Sequence, residues 1–87
     1  MIAVHYTPSF IKQVQSLPAD IQDEAFEKVD LFKERQNHLT LKVHKLHGRL
    51  AGRLSFSVNY RIRIIFTWIN KDTALLHVIG DHDVYKD

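Results

Sequence analysis

No cysteine occurs among the 87 residues, which excludes a disulfide framework and a thiolate metal site. That absence fits a reducing cytosol. Long hydrophobic runs are missing as well. No apolar stretch approaches the ~20 residues needed to span a bilayer, so no membrane role is expected. No basic segment precedes an apolar run at the start of the chain, so no secretory leader is expected and the reading is a cytoplasmic protein. Glycine and proline are scarce, with three and two copies, and each marks a turn or a helix end. The most telling gap is in charge of one sign: residues 41–63 contain no Asp or Glu.

What fills that gap is basic. Lys42, Lys45, Arg49, Arg53, Arg61 and Arg63 lie there, with His44 and His47. Residues 1–40 carry four Lys/Arg against six Asp/Glu, and residues 64–87 carry two against four. The net charge of +2 therefore hides a basic block inside an otherwise acidic chain. Such a block points to a polyanion-facing surface, and its plain alternative is a solvated loop. The length fits a single domain, 1–87, and the 45% apolar and 25% charged fractions are those of a globular protein.

Residues 2–6 form a short β-prone run. Thr7 is a good N-cap and Pro8 suits the first helical position. Phe10, Ile11, Val14 and Leu17 recur at helical spacing, and Pro18 interrupts them. A second helix is expected from about residue 19 to 36, with Ile21, Ala25, Val29 and Phe32 inward and Phe26 and Leu31 widening the stripe. Phe10 and Phe26 are both assigned to the core. Asp20, Asp23 and Glu24 complement the dipole at its start, and Lys33 and Arg35 at its end.

The pattern then turns to β. Residues 41–46 are ambiguous, and Gly48 and Gly52 frame a turn-rich loop. Residues 53–58 alternate, with Leu54, Phe56 and Val58 on one face and Arg53, Ser55 and Ser57 on the other. After a turn at Asn59, residues 60–68 alternate too, with Tyr60, Ile62, Ile64, Phe66 and Trp68 opposite Arg61, Arg63, Ile65 and Thr67. Asn70, Lys71 and Asp72 turn the chain into a third apolar strand, 73–79, and residues 80–87 form a polar tail. The expected fold is α+β: an N-terminal strand, a helical hairpin, then an antiparallel β-meander packed on the helices. The helix-free sheet face would bear Arg53, Ser55, Ser57, Arg61 and Arg63. That surface is either cationic and phosphate-binding or simply the solvent side of a sheet.

Three segments together resemble a known family: Leu46 and Gly48; the hairpin ending Tyr60, Arg61, Ile62, Arg63, Ile64, Ile65, Phe66; and the tail Ile79, Gly80, Asp81, His82, Asp83, Val84, Tyr85. They are similar to the RelE/ParE toxin superfamily, and within it to the RelE, YoeB and YafQ ribosome-dependent ribonucleases. The resemblance covers nearly the whole chain, and its most specific part is Arg63 with the His82/Tyr85 tail. Arg63 stands where RelE and YoeB carry an arginine before an aliphatic pair and an aromatic. His44 matches the YafQ histidine four residues before a glycine. His82 matches the YafQ tail histidine, and Tyr85 the C-terminal tyrosine of RelE and YoeB. Two departures stand out. The lysine pair of RelE is replaced by Arg53, Ser55 and Ser57, and no glutamate in 41–63 matches the candidate base of YoeB.

The resemblance implies the toxin of a type II toxin–antitoxin system, an endoribonuclease acting on mRNA in the ribosomal A site. Its partners would be the ribosome and a cognate antitoxin, with a heterotetramer as one assembly. The chemistry is attack of a ribose 2′-hydroxyl on the adjacent phosphate. Histidine can serve as base or acid, and arginine holds phosphoryl oxygens. His82 is then the general acid, His44 or His47 the general base and Arg63 the phosphate clamp. Tyr85 stacks on or positions a base, and Arg53, Arg61, Lys45, Arg49 and His47 bind RNA. No cofactor is expected. His44 with His47, or His82 with Asp83, is weak evidence for a metal, and none is expected. His5, His38 and His77 are read as structural, and Trp68 as core or interface. The competing functions are a ParE-like toxin that poisons DNA gyrase by contact, and an inactive homologue acting as a co-repressor with its antitoxin.

Overall fold

A computed structural model describes residues 1–85, and for His82 and Asp83 the backbone path alone. Strand β1 (Ala3–Tyr6) leads into helix α1 (Pro8–Gln15) and helix α2 (Ala19–Phe32). Strands β2 (His44–Lys45), β3 (Leu54–Ser57), β4 (Arg63–Asn70) and β5 (Thr73–Gly80) follow, with single 3₁₀ turns at Arg35–Asn37, Gly48–Leu50 and His82–Tyr85. The five strands form one sheet in the order β1-β5-β4-β3-β2. The meander from β2 to β5 is antiparallel, while β1 pairs parallel with β5, Ala3 opposite Thr73. The expected α+β arrangement is therefore present, with a four-stranded meander: the ambiguous 41–46 stretch supplies Leu41 to the core and β2 to the sheet edge.

Helix α1 starts where its sequence says it should. The Thr7 hydroxyl accepts the Phe10 backbone N–H at 3.0 Å and donates to the His77 carbonyl at 2.8 Å. One side chain thus caps a helix and ties it to β5. Thr7→Ala removes both bonds and is expected to cost about 1–2 kcal/mol, read from a urea melt. A change below a few tenths would show that the cap contributes little.

Both helices lie on one face of the sheet. Phe10 and Val14 of α1 and Ala25, Val29 and Phe32 of α2 pack with Phe56, Ile64, Phe66, Leu76 and Ile79. Phe32 is the hub. Its ring stacks on Phe56 at 4.5 Å and on His38 at 4.8 Å, and meets Phe66 edge-on at 4.8 Å. His38 Nε2–H donates to the Phe32 carbonyl at 2.7 Å, which gives this histidine a structural place. Trp68 is half-buried, edge-on to Phe66, with the Arg35 guanidinium 5.0 Å from its ring centroid.

Two expectations need correction. Helix α2 ends at Phe32 rather than near residue 36, and the chain passes through an extended Glu34 into the 3₁₀ turn. Phe26 and Leu31 are 46% and 40% exposed. The sheet offers α2 only one contact face, centred on Ala25, Val29 and Phe32 at i, i+4 and i+7, so neighbours a quarter-turn away stay outside.

Candidate functional site on the helix-free sheet face

Register fixes what shares the other face. His44 is opposite Ser55, Ser55 opposite Ile65 and Ile65 opposite Val78, one row across four strands. The next row is Ser57, Arg63 and Gly80. Directly opposed side chains lie about 5 Å apart and diagonal ones about 7–8 Å. An imidazole and a guanidinium therefore flank Ser55 on a single surface. Gly80 ends β5 opposite Arg63, and the backbone of His82 begins two residues further on.

His44 is exposed, and its Nδ1 lies 2.7 Å from the Lys42 carbonyl. A carbonyl only accepts, so Nδ1 carries the proton. In the neutral ring Nε2 is then the basic nitrogen. Lys42 itself sits at φ 60°, a left-handed conformation unusual for a side-chain-bearing residue. That turn aims its carbonyl at the imidazole. Arg63 is half-buried, and its Nη1 donates to the carbonyls of Asn59 and Ile62 in the β3–β4 turn. The turn is in turn fixed by Asn59. Its Oδ1 accepts from the Arg61 and Ile62 backbone at 2.8 Å each, and its Nδ2 donates to Glu24 of α2 at 2.7 Å. Arg63 is thus held on a rigid support, with Nε and Nη2 as further donors of the same fork.

The face is not an open cationic plane. Ser55 and Ile65 are fully buried and Leu50 nearly so. The turns at Gly48–Leu50 and His82–Tyr85 roof this side of the sheet. The Tyr85 hydroxyl and the Ser55 hydroxyl are 2.8 Å apart, which anchors the C-terminal turn to β3. Gly80 allows this fold-back: a Cβ there would lie 2.7 Å from Val84 Cγ1. Arg53, Lys45, His47, Arg49 and Arg61 are exposed. Arg53 lies on the same face as Ser55, Lys45 is opposite Leu54, His47 and Arg49 belong to the 48–50 turn region, and Arg61 occupies the β3–β4 turn. The side chain of His82, the expected general acid, lies outside the described residues, as does the whole of Lys86 and Asp87.

His77, read from the sequence as structural, sits at an irregularity that the sequence did not reveal. A β-bulge sets Ile65 opposite Val78 but Phe66 opposite Leu76, so His77 is the extra residue on β5. Its Nε2 is 2.8 Å from the Thr67 hydroxyl. Burial, and then the neighbouring Arg53 charge, push the imidazole below its ordinary value of 6.5. Unfolded His77 takes up a proton near the ordinary value while the folded ring resists it, so protonation favours the unfolded chain. Its contribution is complete above pH 6.5 and is lost as the pH falls from there toward the lowered folded value. Wild type is therefore expected to lose stability over that window relative to His77→Gln, compared by urea melts at several pH values. Parallel curves for the two proteins would remove His77 from the pH dependence.

A cavity of about 370 Å³ adjoins His77, and a larger cleft of about 540 Å³ lies between the α1–α2 connection and the β3–β4 turn. Leu17, Pro18, Ile21 and Ile62 give the larger one its apolar wall, with Arg61 and Asp81 also lining it. Among the described residues no three His, Asp or Glu side chains gather as a metal-binding group, and no helix is long and apolar enough to cross a membrane.

This two-helix layer on one face of a five-stranded mixed sheet is the fold of solved RelE, YoeB and YafQ toxins. The chain superposes on a chain of the toxin–antitoxin complex RelBE2 from Mycobacterium tuberculosis with a TM-score of 0.75 at 19% identity, covering 93% of this chain and 98% of that one. It matches the archaeal RelE–RelB complex from Pyrococcus horikoshii OT3 at TM-score 0.72 and 20% identity, covering 92% and 93%. YafQ from E. coli matches at 0.60 and 14% identity over 100% of both chains. No family model matches the chain, and no curated protein matches it in sequence.

Proposed function

We propose that this chain is the toxin of a type II toxin–antitoxin pair, an endoribonuclease that cuts translated mRNA in the ribosomal A site. The observation that carries the reading is the pair of adjacent rows, His44–Ser55 and Ser57–Arg63–Gly80, on the helix-free face of a toxin fold. His44 Nε2, freed by the Nδ1 bond to Lys42, takes the 2′-hydroxyl proton. Arg63 holds the phosphoryl oxygens through donors not bound to the turn. His82, two residues past Gly80, supplies the proton to the leaving 5′-oxygen. Tyr85 acts by holding the C-terminal turn, and so His82, in place through Ser55. Arg53, Arg61, Lys45, Arg49 and His47 line the approach of the RNA backbone.

With so few groups to grip RNA, the chain borrows the ribosome to position the message. It acts in the cytoplasm, with no cofactor. Its partner is an antitoxin that folds on binding, over the cationic face or against the helices, where Ile11, Phe26 and Leu31 are 41%, 46% and 40% exposed. The solved complexes of RelB with RelE and of YoeB with YefM support such a partner, and the heterotetrameric YoeB–YefM complex supports a heterotetrameric assembly.

Brief induction followed by mapping of message 5′ ends tests the function. New ends at codon-scale intervals in translated messages, and none in untranslated RNA, are the expected result. Intact messages with a supercoiling defect would replace this reading with gyrase poisoning. Intact messages and normal growth would leave the co-repressor.

A further inference from the structure

Cleavage by His44, Arg63 and His82 leaves the 370 Å³ cavity beside His77 unused. It lies on the same sheet face. Ile65 and Val78 line it from the strands, and Leu50 and Val84 from the two turns that roof the sheet. Its polar residues are Arg53, His77, Ser9 and Thr7, the last already engaged as the cap of α1. The volume is at the small end of ligand sites, roughly 300–1,000 Å³, and suits one compact unit rather than a chain segment.

The bulge is what brings His77 here. Along β5, Leu76 and Ile79 both reach the helix-side core, so the two residues between them, His77 and Val78, both face the cavity. A regular strand would have sent one of them inward. A bulged histidine bonded to Thr67 could be merely structural. Yet Thr67 engages only one ring nitrogen, and an imidazole has two. The charge is also divided. Burial and Arg53 disfavour the imidazolium, so His77 stays neutral with one donor and one acceptor, and Arg53 carries the cation. Among the described residues Arg53 has no ion-pair partner. A cation, a neutral donor–acceptor ring and an aliphatic slot match the phosphate, base edge and base plane of a nucleotide.

We propose that this cavity holds the nucleotide next to the cleaved phosphodiester, with its base among Leu50, Ile65, Val78 and Val84, its edge on His77 and its phosphate on Arg53. The assignment rests on the ribonuclease reading. Ile65 and Val78, which line the cavity, belong to the His44 row, and Arg53 precedes β3, two residues or about 7 Å before Ser55. His77 is then a specificity-determining residue and takes no part in proton transfer.

Two measurements test this. In the first, each of the four nucleoside 5′-monophosphates, and inorganic phosphate alone, is titrated into the protein while the His77 imidazole and Arg53 guanidinium are followed by NMR. At least one monophosphate is expected to move both signals, and phosphate alone to move only Arg53. In the second, cut sites are mapped in a translating extract for wild type, His77→Gln and Ser9→Trp, each checked for folding by its thermal melt. His77→Gln is expected to relax the base preference beside the cut by about tenfold, the size of one lost base-edge contact. Ser9→Trp, which fills the cavity from an exposed position, is expected to lower cutting by a similar factor. Cutting by wild type, with unchanged base preference and rate in both variants and a still His77 signal, overturns the cavity but leaves the ribonuclease reading intact. No cutting by wild type removes the ribonuclease reading, and the titration alone then decides the cavity: a moved His77 signal keeps a nucleotide site, and a still one ends it.

Discussion

Phe32→Ala is expected to destabilise the fold by about 3–5 kcal/mol, while Phe26→Ala, on the same helix, changes stability by no more than about 0.5 kcal/mol. Small domains have only about 5–15 kcal/mol of stability in total, so the first variant should be largely unfolded on mild heating. The contrast comes from what each ring touches. Phe32 is fully buried and contacts His38, Phe56, Phe66 and Trp68, joining α2, the 3₁₀ turn after it and two central strands. Truncation leaves a cavity that four rings held on three separate stretches of chain cannot close, and it loses aromatic pairs worth roughly 0.5–1.5 kcal/mol each. Phe26 is 46% exposed and loses little. Urea denaturation of the two variants checks the pair. Equal losses would mean that α2 packs with a different face toward the sheet.

Local chemistry made much of this fold legible. Thr7 and Pro8 announced α1 because a cap and an N1 proline act within one turn of chain. Alternation over residues 53–58 and 60–68 announced the hairpin, which forms as β3 and β4; Ser55, Ser57 and Arg63 share the face that period two gave them, whereas Arg61, expected on that face, lies in the turn before β4. What stayed hidden depends on distant partners. The parallel pairing of β1 with β5 joins residues some seventy positions apart, and no local pattern encodes it. The bulge at His77 is a single extra residue in a run of apolar side chains, where period two and its interruption look alike. Phe26 and Leu31 fit a helical stripe, but the width of the stripe is set by the sheet it meets. Ser55 read as a small residue on an open surface. Its burial comes from Tyr85, thirty residues later, whose hydroxyl replaces the water that an exposed serine would bind.

The candidate site divides along the same line. The resemblance supplied residue types, and only register showed which of them share a face. Arg63 and His44 sit on strands that are not sequence neighbours, yet Ser55, paired with His44 and diagonal to Arg63, brings them together. The sequence reading set Arg61 on the same face as Arg63; in the structure Arg61 belongs to the turn before β4, where its backbone N–H is bound by the Asn59 side chain.

Arg63→Ala is accordingly the substitution expected to affect activity most, lowering message cleavage by about 10²–10³-fold, the scale of one lost preorganised donor at a developing charge. The pinned geometry makes the estimate sharper than for an exposed arginine. A guanidinium already fixed by the Asn59 and Ile62 carbonyls loses little further freedom when it takes a phosphate, so its binding energy is available to the transition state. The same bonds predict a secondary loss of stability on truncation, which must be separated from the catalytic effect. Arg63→Lys does this. It keeps the charge but not the planar fork, and is expected to retain fold stability better than alanine while recovering only a small part of the activity. Cut-site mapping in a translating extract, alongside a thermal melt of each variant, gives both readouts. Full cleavage by a folded Arg63→Ala protein would take the guanidinium out of the reaction, and with it the claim that the Ser57–Arg63–Gly80 row faces the scissile phosphate.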